Sequence, residues 1–120
     1  MQILGCAFDG ALTDRVDLLE NRNALQTDNY VLLETLALLQ SRLGMPAVNR
    51  FTIDILPVLN IFWVDEGVHR SAQHALLVSA RRNLSLADCV SFEVMRRLLL
   101  NTAFCFDPHF AEQGFRVLPE

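Results

Sequence analysis

The chain contains no lysine: all ten basic residues are arginine, and with fourteen acids the formal net charge is −4. A broadly basic surface for duplex DNA is thereby excluded, and any nucleic-acid role has to rest on a local site. Long apolar runs are missing too. Charge-free stretches such as Ile55 to Val64 or Ser71 to Ala80 fall far short of the roughly 18 apolar residues of a membrane span, so a soluble chain with no membrane partner is expected. The first charge after Met1 is the acidic Asp9, not the basic start of a secretory signal, and a cytoplasmic location is expected. Cysteine is scarce and odd in number. Cys6, Cys89 and Cys105 form no C-x-x-C pair and sit among apolar neighbours, which reads as buried thiols in a reducing compartment.

What is present suits one folded domain spanning residues 1–120. At 120 residues, 52% hydrophobic and 20% charged, the chain can bury a core without disulfides or a structural metal. Disordered and collagen-like classes are excluded. No repeat, low-complexity tract or linker divides it.

Gln2 to Phe8 is a short apolar run ending at Asp9-Gly10, the pattern of a buried strand that stops at turn residues. Ala11 to Asn23 is a weaker helical segment. From Asp28, an N-cap residue, the positions Val31, Leu32, Thr35, Leu36, Leu38, Leu39 and Leu43 mark a broad apolar helical face closed by Gly44. A second helix is expected from Pro46 to about Leu56. Asn60 to Val64 reads as a strand, and Asp65 to about Arg82 as a helix with Val68, Ala72, Ala75, Leu76 and Ser79 on one side. Ser85 opens a helix patterned to Asn101, followed by strands at Thr102 to Phe106 and Phe115 to Leu118. Helices alternating with short apolar strands indicate an α/β sandwich around a mostly parallel sheet. Ligands gather beyond the carboxyl ends of such strands, where Asp9 and Asp107 fall.

Asp9 and Asp107 each end an apolar run, in Cys6-Ala7-Phe8-Asp9 and Cys105-Phe106-Asp107. A carboxylate leaving a buried strand calls for a cation, a helix N-terminus or a metal, although a turn or cap role is the simpler reading. Asp88 has a competing role as well, because Ser85-Leu86-Ala87-Asp88 fits a capping box. Glu34 falls on a face otherwise made for the core and wants a partner. Arginines concentrate between Arg70 and Arg97, where five face two acids, against four and seven in residues 1–64. Arg81, Arg82, Arg96 and Arg97 there are either plain solvated charges or a local phosphate grip. His69 and His74, five apart, do not share a helical face and form no zinc pair. His109 reads as a structural polar contact or a group near substrate. Trp63, Phe92, Phe104 and Phe106 read as core.

The last third resembles a known family. Ser85-Leu86-Ala87-Asp88-Cys89-Val90-Ser91-Phe92-Glu93-Val94-Met95-Arg96-Arg97, then Ala103-Phe104-Cys105-Phe106-Asp107-Pro108-His109-Phe110, then Gln113-Gly114-Phe115 is similar to the C-terminal half of the PIN-domain nucleases, most of all the VapC-like toxins. Asn29-Tyr30-Val31-Leu32-Leu33-Glu34-Thr35-Leu36 resembles the same family's "NYVLxET" helix. The resemblance covers residues 26 to 118 and implies a PIN-like three-layer α/β/α sandwich. It also implies that Glu34, Asp88 and Asp107 bind Mg²⁺ or Mn²⁺ and activate water for phosphodiester hydrolysis, with the four arginines above gripping phosphate. The chemistry is coherent, since hard cations prefer carboxylate oxygen and like charges cluster only around a cation. An RNA substrate, a small antitoxin partner and a homodimer formed through the helix at 30–43 follow from the same resemblance.

The N-terminal segment 1–25 departs from the pattern. Only 24 residues separate Asp9 from Glu34, about half a helical hairpin short of the family's interval. Asp9, in "CAFDGAL", either supplies the family's first acid as a further metal ligand or stands in a substitute start from which that acid is lost. The first alternative gives an endoribonuclease toxin, the second a catalytically degenerate binding or assembly module. Asp9-Gly10-Ala11-Leu12-Thr13-Asp14 also resembles the "DxDGTLxD" motif of haloacid-dehalogenase-type phosphatases. However, the nucleophile position there is Ala7, and nothing downstream continues that pattern.

Overall fold

Among the described residues, five short strands, all parallel, lie in the order β3-β2-β1-β4-β5, where β1 is Gln2–Ile3, β2 Leu25–Asp28, β3 Asn60–Phe62, β4 Thr102–Phe104 and β5 Arg116–Leu118. The computed structural model of the chain describes residues 2–3, 25–104 and 108–118. The expected strand residues 4–8, the helix at 11–23, and Asp9, Asp107, Cys6, Cys105 and Phe106 lie outside the described residues, as does the side chain of Phe104.

Helices connect the strands. α1 is Asn29–Leu43, α2 Met45–Arg50, α3 Glu66–Ser79, α4 Leu86–Arg97 and α5 Pro108–Glu112. The chain moves from β2 outward to β3, crosses the sheet to β4, and moves outward again to β5. Right-handed crossovers then place α1 and α2 on one face and α3, α4 and α5 on the other, which makes three layers. The reversal of direction falls between β1 and β4, whose register pairs Gln2 with Thr102 and Ile3 with Ala103. Crevices at such reversals, beyond the carboxyl ends of the strands, are where α/β sheets bind ligands.

The caps fall where the sequence placed them. Asp28 caps α1, Gly44 ends it at φ 85°, Asp65 caps α3, and Ser85 and Asp88 form a full capping box on α4. Pro46 sits in the first turn of α2. That helix continues as a π-turn at Phe51–Ile55 and a 3₁₀ turn at Leu56–Val58, so the segment ends near Pro57 as its missing N–H requires. α4 stops at Arg97 rather than Asn101, because Leu99 takes a left-handed conformation and the Leu100 N–H bonds the Met95 carbonyl at 2.8 Å.

One buried cluster lies among α3, α4, α5 and β4: Val68, Ala72, Leu84, Cys89, Val90, Phe92, Val94, Met95, Leu100, Ala103 and Phe110. Cys89 is a buried free thiol, as expected. Four expectations about burial fail. Ala75 and Ser79, placed on the inner side of α3, are exposed; that helix buries only Val68 and Ala72 fully. α1 likewise buries only Val31 and Thr35, because a single stripe of it meets the sheet, and Leu43 remains 69% exposed. Glu34 is therefore at the surface, not on a core-facing side. Trp63 is 68% exposed, since β3 ends at Phe62 and the chain turns outward before α3. No described helix is long and apolar enough to cross a membrane.

Candidate functional site

Two acid-bearing helices start at the carboxyl-terminal edge of the sheet. α1 leaves directly from β2, with Asp28 as the last strand residue and the N-cap together. Its Oδ1 accepts the N–H groups of Tyr30 and Val31, both at 2.9 Å. Glu34 stands in the second turn. α4 starts at Ser85, whose Oγ accepts the Asp88 N–H at 3.0 Å while Asp88 Oδ2 accepts the Ser85 N–H at 3.2 Å. The capping-box reading of Asp88 is thus correct. A carboxylate has about four acceptor positions, and the bond from the Ser85 N–H uses one of those of Asp88.

Glu34 and Asp88 come close enough to feel each other. The Glu34 carboxyl is pushed above its ordinary value, first by partial burial and then by the negative charges of Asp88 and Asp28. Acids so arranged carry a repulsion that a bound cation would relieve. His109 adds a basic group on the other side, buried in α5 with its Nδ1 3.9 Å from Asp88 Oδ2. That separation is longer than a hydrogen bond, and it places His109 as a polar neighbour of Asp88. Among the described residues no group of three His, Cys, Asp or Glu side chains could by itself hold a metal ion. Asp9 and Asp107, the other two expected acids, lie outside the described residues.

The shift on Glu34 has a sign that can be measured. A carboxyl with a higher value in the folded chain than in the unfolded one favours folding when protonated, so stability is lost as pH rises through the window from about 4.5 up to the raised value. Glu34→Gln cannot ionise. Without divalent ions its melting temperature should gain on that of the wild type as pH rises through this window and then hold its advantage. A melting-temperature difference that stays flat between pH 4 and 7 would remove the proposed repulsion.

The arginines are less concentrated on this edge than their spacing suggested. Arg81 pairs with Glu112 at 2.7 Å and Arg97 with Glu93 at 3.0 Å. Arg96 donates to Gln113 Oε1 at 2.6 Å and lies 5.6 Å over the Phe115 ring. Arg96 is eight residues beyond Asp88 on α4, a rise of about 12 Å, and Arg82 is exposed. His69 hydrogen-bonds the Tyr30 hydroxyl and His74 is exposed, so the two histidines act separately.

Sequence reasoning identified Asp28 only as a cap and passed over Ser91. Both are buried, and the Ser91 hydroxyl donates to Asp28 Oδ2 at 3.0 Å. The one available signal was a serine at a position flanked by Val90 and Phe92 in the mostly apolar Cys89-to-Met95 stretch of α4. β2 was missed as well, because Leu25-Gln26-Thr27-Asp28 has no apolar pattern. It is held by polar contacts instead: Gln26 Nε2 donates to the Asn60 carbonyl at 3.0 Å, across to β3.

A parallel sheet wrapped by helices on both faces, with Glu34 and Asp88 on helices that start at its edge, is the frame expected of a PIN-type nuclease, and the chain belongs to the VapC-like PIN-domain nucleases. The similarity that shows this is to the 23S rRNA-specific endonuclease VapC20 of Mycobacterium tuberculosis, with 35% identity over 98 residues, 80% of this chain and 75% of that protein. The crystal structure of the same organism's VapC20, described as a sarcin-ricin loop cleaving toxin, superposes with a TM-score of 0.80 at 27% identity and covers 96% of both chains. FitAcB from Neisseria gonorrhoeae shares the fold, with a TM-score of 0.68 at 15% identity over 98% of this chain and 96% of that one. No family model matches the sequence.

Proposed function

We propose that the chain is an Mg²⁺- or Mn²⁺-dependent endoribonuclease and the toxin of a toxin–antitoxin pair. The observation that carries this reading is the placement of Glu34 and Asp88 on two capped helices, with the Glu34 carboxyl pushed up first by partial burial and then by the negative charges of Asp88 and Asp28. The donor set fits the ion. Mg²⁺ binds through one or two carboxylates, retained water and substrate phosphate oxygens, and needs no all-protein cage. Asp107 and Asp9 are the further proposed ligands, on the family resemblance of the segments that carry them.

When bound, the cation lowers the pKa of a water and neutralises charge developing on the phosphate. Glu34 and Asp88 supply the hard oxygen ligands, with Asp88 fixed in direction by its bond from the Ser85 N–H. His109 lies beside Asp88, its Nδ1 3.9 Å from Asp88 Oδ2. Arg82, and Arg81, Arg96 and Arg97 by exchanging their present partners, would hold flanking phosphates; exposed pairs of this kind are worth only about 0–1 kcal/mol and are readily traded. A structured ribosomal RNA loop is the proposed substrate, by similarity to the relative described as cutting 23S rRNA.

The test is incubation of the antitoxin-free chain with Mn²⁺ and a sarcin-ricin stem-loop RNA. Site-specific cuts are expected, and an intact RNA would leave the binding-module reading in place. Mn²⁺ at pH 7 should also raise the melting temperature of the wild type more than that of Glu34→Gln, because a ligand that binds only the folded chain stabilises it by mass action.

We also propose a small antitoxin as partner, covering the acidic edge, and a homodimer. For the dimer the supporting feature is the apolar band left on α1 and the segment after it, where Leu33 is 70% and Ile53 70% exposed. Sedimentation of the purified chain should give twice the monomer mass, and Leu33→Glu should return it to the monomer.

A further inference from the structure

Asp28 has no exposed surface at all, and burying an anion is costly unless something fixed requires it. Its two oxygens have separate tasks. Oδ1 caps α1 by accepting from Tyr30 and Val31, whereas Oδ2 accepts the Ser91 hydroxyl at 3.0 Å. Ser91 is itself buried and lies on α4 three residues after Asp88, on the same side of the helix. A single side chain therefore joins the start of the helix that carries Glu34 to the helix that carries Asp88.

Capping alone does not explain this arrangement. One oxygen is enough for a cap, and serine or threonine supplies it without a charge. Here a second oxygen is spent on a residue 63 positions away in sequence. The two residues after Asp28 anchor the same turn elsewhere. Asn29 Oδ1 accepts the Val64 N–H at 2.6 Å, and the Tyr30 hydroxyl meets His69 on α3. The start of α1 is thus fixed against three separate elements, and the link through Asp28 is the one that reaches α4.

We propose that Asp28 and Ser91 are positioning residues, a buried clamp that sets the separation of Glu34 and Asp88 for a shared cation and the phosphate it faces. The proposal rests on the nuclease reading above. Neither residue is a ligand, because both oxygens of Asp28 are turned to protein donors and sealed from solvent. The clamp acts through the two helices.

The test compares wild type, Ser91→Ala and Asp28→Asn in the full chain. Ser91→Ala keeps the cap and removes only the link. Mn²⁺ affinity by calorimetry should fall about tenfold or more, the scale seen when groups that orient metal ligands are removed. In the stem-loop assay kcat should fall with it while KM for RNA stays unchanged. Asp28→Asn retains an oxygen for the cap and an N–H₂ that can donate to Ser91, so it should remain within about threefold of wild type in affinity, a rescue by shape. Amide exchange of the metal-free proteins reads the clamp without any activity: Tyr30 and Val31 should exchange faster in Ser91→Ala than in wild type. A Ser91→Ala protein that melts lower but keeps wild-type Mn²⁺ affinity, kcat and exchange overturns the clamp. A wild type that neither holds Mn²⁺ nor cuts RNA overturns the nuclease reading instead, and the exchange comparison then decides the clamp by itself.

Discussion

Asp88→Asn is expected to reduce RNA cleavage by roughly 10²–10³-fold or more, on the scale of losing one charge-stabilising group at a reacting centre, while the chain stays folded. The separation of the two effects comes from the double role of this side chain. Its Oδ2 accepts the Ser85 N–H in the capping box, and an asparagine carbonyl oxygen can do the same. What the amide lacks is the negative charge. The stability cost is then limited to the attraction between an acid and the first turn of its helix, about 0.3–1 kcal/mol. Glu34, relieved of one of the charges that raise its pKa, should titrate lower in the variant. Cleavage by Asp88→Asn at the wild-type rate would end the metal-ligand assignment of Asp88, and wild-type cleavage that persists in excess chelator would end the metal dependence.

Phe110→Ala carries the largest expected loss of stability, about 3–5 kcal/mol, the usual range for emptying a fully buried aromatic site. Phe110 has no exposed surface and meets Phe92 edge-to-face with ring centroids 4.8 Å apart; Phe115 closes the group at 6.3 Å. α5 has only five residues and cannot hold itself together by backbone bonds, so this side chain is what ties it to α4. A domain of ordinary stability, about 5–15 kcal/mol, would lose roughly a fifth of it or more. His109, next in sequence, would lose its placement beside Asp88. Trp63→Ala provides the contrast. It removes a larger aromatic group that is mostly in water, and its effect should stay within about 0.5 kcal/mol. Denaturant melts of the two variants decide the matter, and equal losses would contradict the burial described for both.

The helices α1 to α4 were legible because their ends are marked, whereas α5 was not read. Asp28, Asp65 and Ser85 are caps, Gly44 is a stop, and Pro57 closes the segment that follows α2. Burial was harder to read. A leucine-rich helix looks the same whether one stripe or its whole circumference is covered, so Leu43 looked internal by composition and is not. Trp63 misled for the same reason, since residue type reports a preference and not a position. β2 was invisible because its stabilising contacts are polar and cross to another strand. At the site, Glu34 and Asp88 came from the family resemblance rather than from spacing, which favoured a cap for Asp88 and a core-facing position for Glu34. The Asp28 to Ser91 bond joins residues too far apart in sequence for any local pattern to reveal it.

The pairing of β1 with β4 also bears on how the chain folds. Gln2 and Thr102 are register partners, so closing the centre of the sheet means joining positions 102 − 2 = 100 residues apart. Contacts of such long sequence separation are formed late and slowly, because their loop-closure entropy is lost before any contact repays it. Chains are synthesised at about 5–20 residues per second, and β1 therefore waits several seconds for its β4 neighbour to exist. The centre of the sheet thus closes only after most of the chain has been made. A chain proposed to cut ribosomal RNA would in this way remain inert while still attached to the ribosome that makes it.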